Sequence, residues 1–249
     1  NQKRLSRMME QFRAAEQLAT HQGLTFAQAA RMLASVDIAK DETTDQTDRD
    51  WSRVVAGAWL AKTLQGLRSP EGLARVDPGN ALKGTLRPYQ QVGVRWLHIL
   101  SKLGLGACLA DDMGLGKTIQ VLSFLLVEKS DVLALRQPSL IVAPASLLAN
   151  WVAEINRFAP NLKAVVAHPS AMSNNTLKSF TPEQFAKHDL VITSYGALLR
   201  VPSLASTVWH HVILDEAQTI KNPHTQQTRS AKKLNARTRI ALTGTPIEN

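Results

Sequence analysis

Six short apolar runs recur through the second two-thirds of this 249-residue chain, and they constrain its fold more than any other feature. They occupy residues 106–110, 140–143, 164–167, 190–193, 212–214 and 240–242. Each is continuous rather than alternating, most are rich in Val, Ile or Leu, and each is followed by a turn and a helix-like stretch. A strand with one wet face alternates apolar and polar residues, whereas a strand covered on both faces has no need to. Strands of the second kind, separated by helices, stack as βαβ units. The expected fold over 81–249 is therefore α/β, with a central, mainly parallel sheet flanked by helices.

Residues 1–80 read differently, as a helical and irregular extension. Phe12 and Leu18 suit a short amphipathic helix ended by Gly23, and Thr25 is placed to cap a second one through Phe26, Ala29, Ala30 and Leu33. Residues 37–50, with five aspartates, read as a linker, and 51–67 return to helical spacing. Asp77-Pro78-Gly79-Asn80 is a strong turn signal and sets the expected domain boundary near residue 80.

Composition narrows the remaining classes. The single cysteine, Cys108, excludes an intrachain disulfide framework, and its place in an apolar run reads as a buried small hydrophobe. No apolar run approaches the ~18–20 residues of a bilayer-spanning helix, so no membrane partner is expected. Asn1 stands where an initiator Met would, which places the expected natural N-terminus upstream. The formal net charge of +9 is unevenly spread: 11 basic against 10 acidic residues lie in 1–80, and 18 against 10 in 81–249. Lys221, Arg229, Lys232, Lys233, Arg237 and Arg239 follow one another with no acid between them. Such a bias implies either a polyanionic partner or a solvated basic surface.

The sharpest local feature is Asp111-Asp112-Met113-Gly114-Leu115-Gly116-Lys117-Thr118, between an apolar run and a helix-like stretch through Ile119, Val121, Leu122, Leu125 and Leu126. Glycines let backbone N–H groups converge on phosphate oxygens with no Cβ in the way, and the following helix N-terminus adds positive potential. Met113, Gly114, Leu115 and Gly116 would form the cradle, Lys117 would reach the β- and γ-phosphates, and the Thr118 hydroxyl would hold Mg²⁺. The general pattern also asks for a glycine five residues before Gly116, where this chain has Asp111.

A phosphate loop that hydrolyses nucleotide needs a carboxylate near the magnesium and a group to activate water. Val212-Ile213-Leu214-Asp215-Glu216-Ala217-Gln218 offers both at the C-terminal edge of an expected strand, where open α/β sheets bind ligands. Asp215 would bind Mg²⁺, and Glu216 would orient and deprotonate the attacking water.

With these two sites in place, the chain resembles the helicase-like ATPases of superfamily two, in particular the Swi/Snf-type (Snf-two) DNA translocases. The resemblance spans 84–249 and implies a first RecA-like P-loop lobe. In that family an acid at the position of Asp111 is normal. Leu86-Arg87-Pro88-Tyr89-Gln90-Gln91 resembles the adenine-recognising segment, which implies Gln90 on the adenine edge with Arg87 nearby. Ile141-Val142-Ala143-Pro144-Ala145-Ser146 and Ile192-Thr193-Ser194-Tyr195-Gly196 resemble two nucleic-acid-contacting motifs, implying phosphate contacts for Ser146, Thr193 and Ser194. Asp215 to Gln218 is a DEAQ form; the family more often has His where Gln218 stands. Leu242-Thr243-Gly244-Thr245-Pro246 resembles the motif coupling hydrolysis to movement, with Thr243 and Thr245 near the γ-phosphate and Gly244 between them. The DEAQ form and the helical N-terminal segment resemble bacterial members more than eukaryotic remodellers, and 25–36 resembles the end of a helicase-associated region.

The resemblance implies ATP and Mg²⁺ as cofactors and double-stranded DNA as partner. It also implies a second RecA-like lobe beyond residue 249, a possible protein target on DNA, and a cytoplasmic, nucleoid-associated setting if the source is bacterial. Because that second lobe supplies arginines worth roughly 10³–10⁵ in rate in related NTPases, this chain alone is expected to turn over little nucleotide. Two other readings remain open from the residues: a strand-separating DNA or RNA helicase, and a non-catalytic docking module.

Overall fold

A computed structural model of the protein describes residues 76–130 and 137–244. The helices and linker expected before residue 76, and Thr245, lie outside the described residues. The turn expected at Asp77-Pro78-Gly79-Asn80 is present: Asp77 Oδ1 accepts the Gly79 amide at 2.8 Å, and Gly79 takes a φ of 58°.

In chain order, α1 (Pro88–Lys102) leads to β1 (Ala107–Leu109), α2 (Lys117–Ser130), β2 (Ser139–Ala143), α3 (Leu148–Phe158) and β3 (Ala164–Val166). The short helices α4 (Asn174–Ser179) and α5 (Pro182–Phe185) precede β4 (Leu190–Ser194); α6 (Pro202–Ser206), β5 (Val208–Leu214), α7 (Gln226–Lys233) and β6 (Asn235–Leu242) complete the described chain. The six strands lie in the order β1-β6-β5-β2-β4-β3, and every pairing is parallel.

The continuous apolar runs have the cause the sequence implies. Every residue of β2 and β4 is buried, because helices cover both faces of the sheet. Successive residues feed two separate cores: Ile141 and Ala143 pack with Val94, Leu122 and Trp151 on one side, while Leu140 and Val142 pack with Phe185, Leu204 and Trp209 on the other. Helix α2 is buried from Ile119 through Glu128 with no break, so it runs through the interior rather than along its surface. Its contact with α1 is close at Gly93, where an added Cβ would stand 1.9 Å from Gln120 Oε1 and would have to push that side chain aside.

Two expectations are corrected. Cys108 is exposed, not buried, because β1 lies at one end of the described sheet and has a single neighbour, β6. Strands β5 and β6 begin well before their apolar runs, at Val208 and Asn235. The added residues of β6 alternate, with Arg237 and Arg239 exposed and Thr238 buried, which a search for continuous apolar runs does not detect. This also divides the basic run: Lys221 follows the C-terminal end of β5, whereas Arg237 and Arg239 stand near the opposite edge, where β6 begins. No helix among the described residues is long and apolar enough to cross a membrane.

Gly93→Ala tests the α1–α2 contact. A Cβ there must displace the buried Gln120 amide, and overpacking of this kind costs about 1–3 kcal/mol. A lowered midpoint in urea unfolding is expected; an unchanged or raised midpoint contradicts the close approach.

Candidate functional site

Three neighbouring strands, β1, β6 and β5, deliver the phosphate loop, Thr243 and the Asp215-Glu216 pair to one edge of the sheet. Parallel pairing makes this unavoidable, since all three chains leave their strands in the same direction.

The loop between β1 and α2 turns at Gly114 and Gly116, whose φ values of 84° and 79° favour glycine. Its carbonyls are held from behind. Leu115 O accepts from Tyr89 Oη and from Gln90 Nε2, both at 3.0 Å, while Lys117 Nζ donates to Asp111 O at 2.6 Å and Asp112 O at 3.2 Å. Lys117 therefore lies folded back on its own loop. Thr118 sits half-buried in the first turn of α2. Gly116 is doubly constrained, because a Cβ would meet Gln90 Nε2 at 2.5 Å. Asp111, the residue that breaks the general pattern, has a partner: its Oδ2 accepts from Gln120 Nε2 at 2.8 Å. That bond ties the start of the loop to the helix that follows it.

Gln90 and Arg87, expected near adenine, differ in exposure. Arg87 is exposed just before α1, and its amide donates to Gln90 Oε1 at 2.9 Å. Gln90 is buried, so both ends of its amide engage the protein: one fixes the start of α1 and the other the loop. Met113, 81% exposed, is the most open large apolar residue of the loop, and a Cβ on Gly244 would come within 3.1 Å of its Cγ.

Asp215 is buried at the end of β5 and accepts two hydrogen bonds, from Trp151 Nε1 at 2.8 Å and from the Glu216 amide at 3.0 Å. Burial pushes its carboxyl above the ordinary value, the Trp151 N–H opposes this, and the Glu216 charge adds to it. Lys117 is near enough to pull it down. Tyr195 Oη donates to Asp215 O at 2.8 Å, and burial together with the nearby carboxylates pushes that phenol well above its ordinary value.

Glu216 is the one non-glycine residue among the described positions with positive φ, at φ 49° and ψ 54°. An L-residue in this left-handed region costs about 1–2 kcal/mol, so the surrounding contacts must hold it there. From this position Glu216 Oε2 accepts from Gln218 Nε2, and Gln218 Oε1 accepts from Thr243 Oγ1 at 2.9 Å. A single amide thus joins the expected catalytic carboxylate to the expected coupling motif. A glutamine suits the position because it donates at one end and accepts at the other without titrating.

The expected nucleic-acid residues divide. Ser146 is exposed in the turn Ala145–Leu147 that follows β2. Thr193 and Ser194 are buried instead: Thr193 Oγ1 donates to Ala167 O at 2.8 Å, and Ser194 Oγ accepts the Ala197 amide at 3.2 Å. Their hydroxyls hold the β4 loop in shape rather than standing open to a phosphate. Trp151, Gln120 and Tyr195 make contacts to Asp215 and Asp111 that sequence reasoning missed. Only the rule that a buried indole N–H or phenol needs a partner could have drawn attention to Trp151 and Tyr195.

Trp151→Phe preserves the ring and removes the donor to Asp215. Leaving that buried carboxylate one bond short costs about 1–3 kcal/mol, so the thermal midpoint falls. The Asp215 carboxyl also titrates at higher pH, which carbon-detected NMR reads directly. An unmoved titration detaches Trp151 from the site.

These features agree with comparisons to known proteins. The SNF2-related domain matches residues 89–249. A putative ATP-dependent helicase/translocase of Bacillus subtilis is 42% identical over 195 residues, covering 76% of this chain and 20% of that protein. The chromatin-remodelling ATPase INO80 of Arabidopsis thaliana is 41% identical over 182 residues, covering 70% of this chain and 12% of its own length. The Sulfolobus solfataricus SWI2/SNF2 ATPase core in complex with double-stranded DNA superposes with a TM-score of 0.62 at 41% identity, over 71% of this chain and 35% of that one. The chain spans a fifth or less of the length of these two curated relatives. With residues 89–249 matched by the family's model and the fold shared with the SWI2/SNF2 core, the chain belongs to the SNF2-related domain family.

Proposed function

We propose that this chain is the ATP-binding lobe of a DNA-dependent ATPase that translocates on double-stranded DNA and remodels protein–DNA complexes. The carrying observation is the Glu216–Gln218–Thr243 chain of hydrogen bonds, which links the residue placed to activate water to the first residue of the coupling motif. Family membership and the resemblance to a DNA-bound SWI2/SNF2 core support the reading.

The residues fit a magnesium nucleotide: a glycine-rich loop ahead of a helix N-terminus, a lysine within reach of the loop, and a buried carboxylate at the same edge of the sheet as a hydroxyl-bearing helix start. Thr118 and Asp215 would hold the metal, which when bound neutralises charge on the phosphates. Lys117 exchanges its two loop carbonyls for phosphate oxygens, so part of its cost of desolvation is met before nucleotide arrives. Gln90 would hydrogen-bond the adenine edge, giving up one of its two protein contacts to do so, with Arg87 nearby. Glu216 takes the proton of the attacking water at a carboxylate oxygen, and its bond to Gln218 reports that event to Thr243 and Gly244, with Thr245 beyond. Ser146 and its turn meet a DNA phosphate, while Thr193 and Ser194 keep the neighbouring loop in register. Completion of the site requires a second RecA-like lobe, so the isolated chain turns over little ATP. The setting is cytoplasmic.

The decisive measurement is ATPase activity, with and without duplex DNA, in a chain extended to include the second lobe. Stimulation by DNA is expected, and its absence overturns the reading. Lys117→Ala should lower turnover by about a hundredfold or more, while Glu216→Gln should retain nucleotide and stop turnover. Duplex displacement assayed beside translocation distinguishes a strand-separating helicase.

DNA affinity should fall steeply with salt, with a slope of about −0.9 per phosphate contacted on a log–log plot. A flat dependence removes backbone contact from the proposal.

A further inference from the structure

Far from the nucleotide edge, three histidines surround one buried carboxylate. Glu128 lies near the end of α2, and its Oε1 is 2.8 Å from His98 Nδ1 on α1. Its other oxygen, Oε2, is 3.4 Å from His210 Nε2 and 3.5 Å from His211 Nε2, both near the start of β5. Ser101 Oγ stands 3.4 Å from the same oxygen. His211 is fully buried, and its Nε2 has no hydrogen-bond partner among the described residues. A ring nitrogen at zero exposure whose nearest polar neighbour is a carboxylate at 3.5 Å, at the limit of hydrogen-bond reach, needs a cause, since such groups are expensive to bury.

We propose that Glu128, His210 and His211 form a structural site for a divalent transition-metal cation of the Zn²⁺ class, fastening the start of β5 to α2. Zn²⁺ bonds to nitrogen and oxygen ligands at about 2.0–2.1 Å, so adjacent ligands of a tetrahedral ion lie about 3.3–3.5 Å apart. The two nitrogen–oxygen separations, 3.4 and 3.5 Å, match that edge. They are long for charge-assisted hydrogen bonds, which run about 2.7–2.9 Å. One ligand atom from each of the three residues lies within 4.8 Å of the others, wider than the roughly 4.2 Å that two bonds to one ion can span, so an imidazole must turn inward on binding.

The outer contacts are those a ligated histidine requires. His211 Nδ1 lies 2.6 Å from Thr238 Oγ1 on β6, and donation there leaves Nε2 as a bare lone pair. The donor set selects the metal: two imidazoles and one carboxylate suit zinc, cobalt or nickel rather than the magnesium of a nucleotide site. Ser101 lines the remaining side.

The test uses the chain freed of metal by a chelator. Dialysis against Zn²⁺ should leave one ion per chain, and Co²⁺ should give tetrahedral visible absorption that Zn²⁺ abolishes. That spectrum should lack the thiolate charge-transfer band that binding at exposed Cys108 would produce. At a hundredfold excess over Kd, Zn²⁺ should raise the thermal midpoint by roughly 5–10 °C. Glu128→Gln should lose the absorption and the shift, and His210→Gln serves if Glu128→Gln does not fold. Absence of the Co²⁺ spectrum in the unaltered chain overturns the proposal, as does its persistence in a folded variant. The result does not depend on nucleotide, so it stands or falls separately from the proposed ATPase.

Discussion

Burial of the central strands on both faces governs everything else in this domain. Because β2, β4 and β5 are covered above and below, they are largely apolar, parallel and joined by helices that cross the sheet, and the polar residues they bury must find partners. Parallel strands in turn send every following loop to one edge. The phosphate loop, Asp215 with Glu216, and Thr243 meet for that reason, although they lie far apart in sequence. The opposite edge is left to hold the sheet together, and the Glu128 cluster lies on that side.

At the functional edge, precision comes from buried polar contacts rather than apolar packing. Trp151 and Tyr195 reach from α3 and the β4 loop to the side chain and backbone of Asp215. Gln90 and Gln120 grip the phosphate loop from α1 and α2. Each is a neutral donor that fixes a carboxylate or carbonyl without introducing a competing charge. Glu216 is the exception in backbone terms, since its left-handed conformation runs against its own preference. The Gln218 bond and the flanking strand hold it there, and relaxing it would turn the carboxylate away from the edge.

Much of this was legible in the sequence, for identifiable reasons. Continuous apolar runs located all six strands; two-sided burial accounts for β2, β4 and most of β5, while the end strands β1 and β3 carry the same kind of run without being buried. The glycines of the loop and the acids after β5 were legible because their chemistry tolerates few substitutes. What escaped depends on tertiary context. His210 and His211 looked too polar to extend β5, and their burial makes sense only beside Glu128, 82 residues away from the first of them. Cys108 looked interior because an edge strand and a central strand can carry the same residues. Thr193 and Ser194 looked available because a hydroxyl in a loop motif does not reveal which carbonyl or amide it already serves.

The placement of β1 at one end of the described sheet has a dynamic consequence. The strand that leads into the phosphate loop is short and held by a single neighbour, with register partners only from Ala107 to Leu109. Its amides therefore belong to the part of the sheet that opens most readily, while those of β2 exchange with solvent only on wider unfolding. A phosphate-bearing ligand in the loop would tie β1 to α2 from the far side and so would stiffen this end of the described sheet.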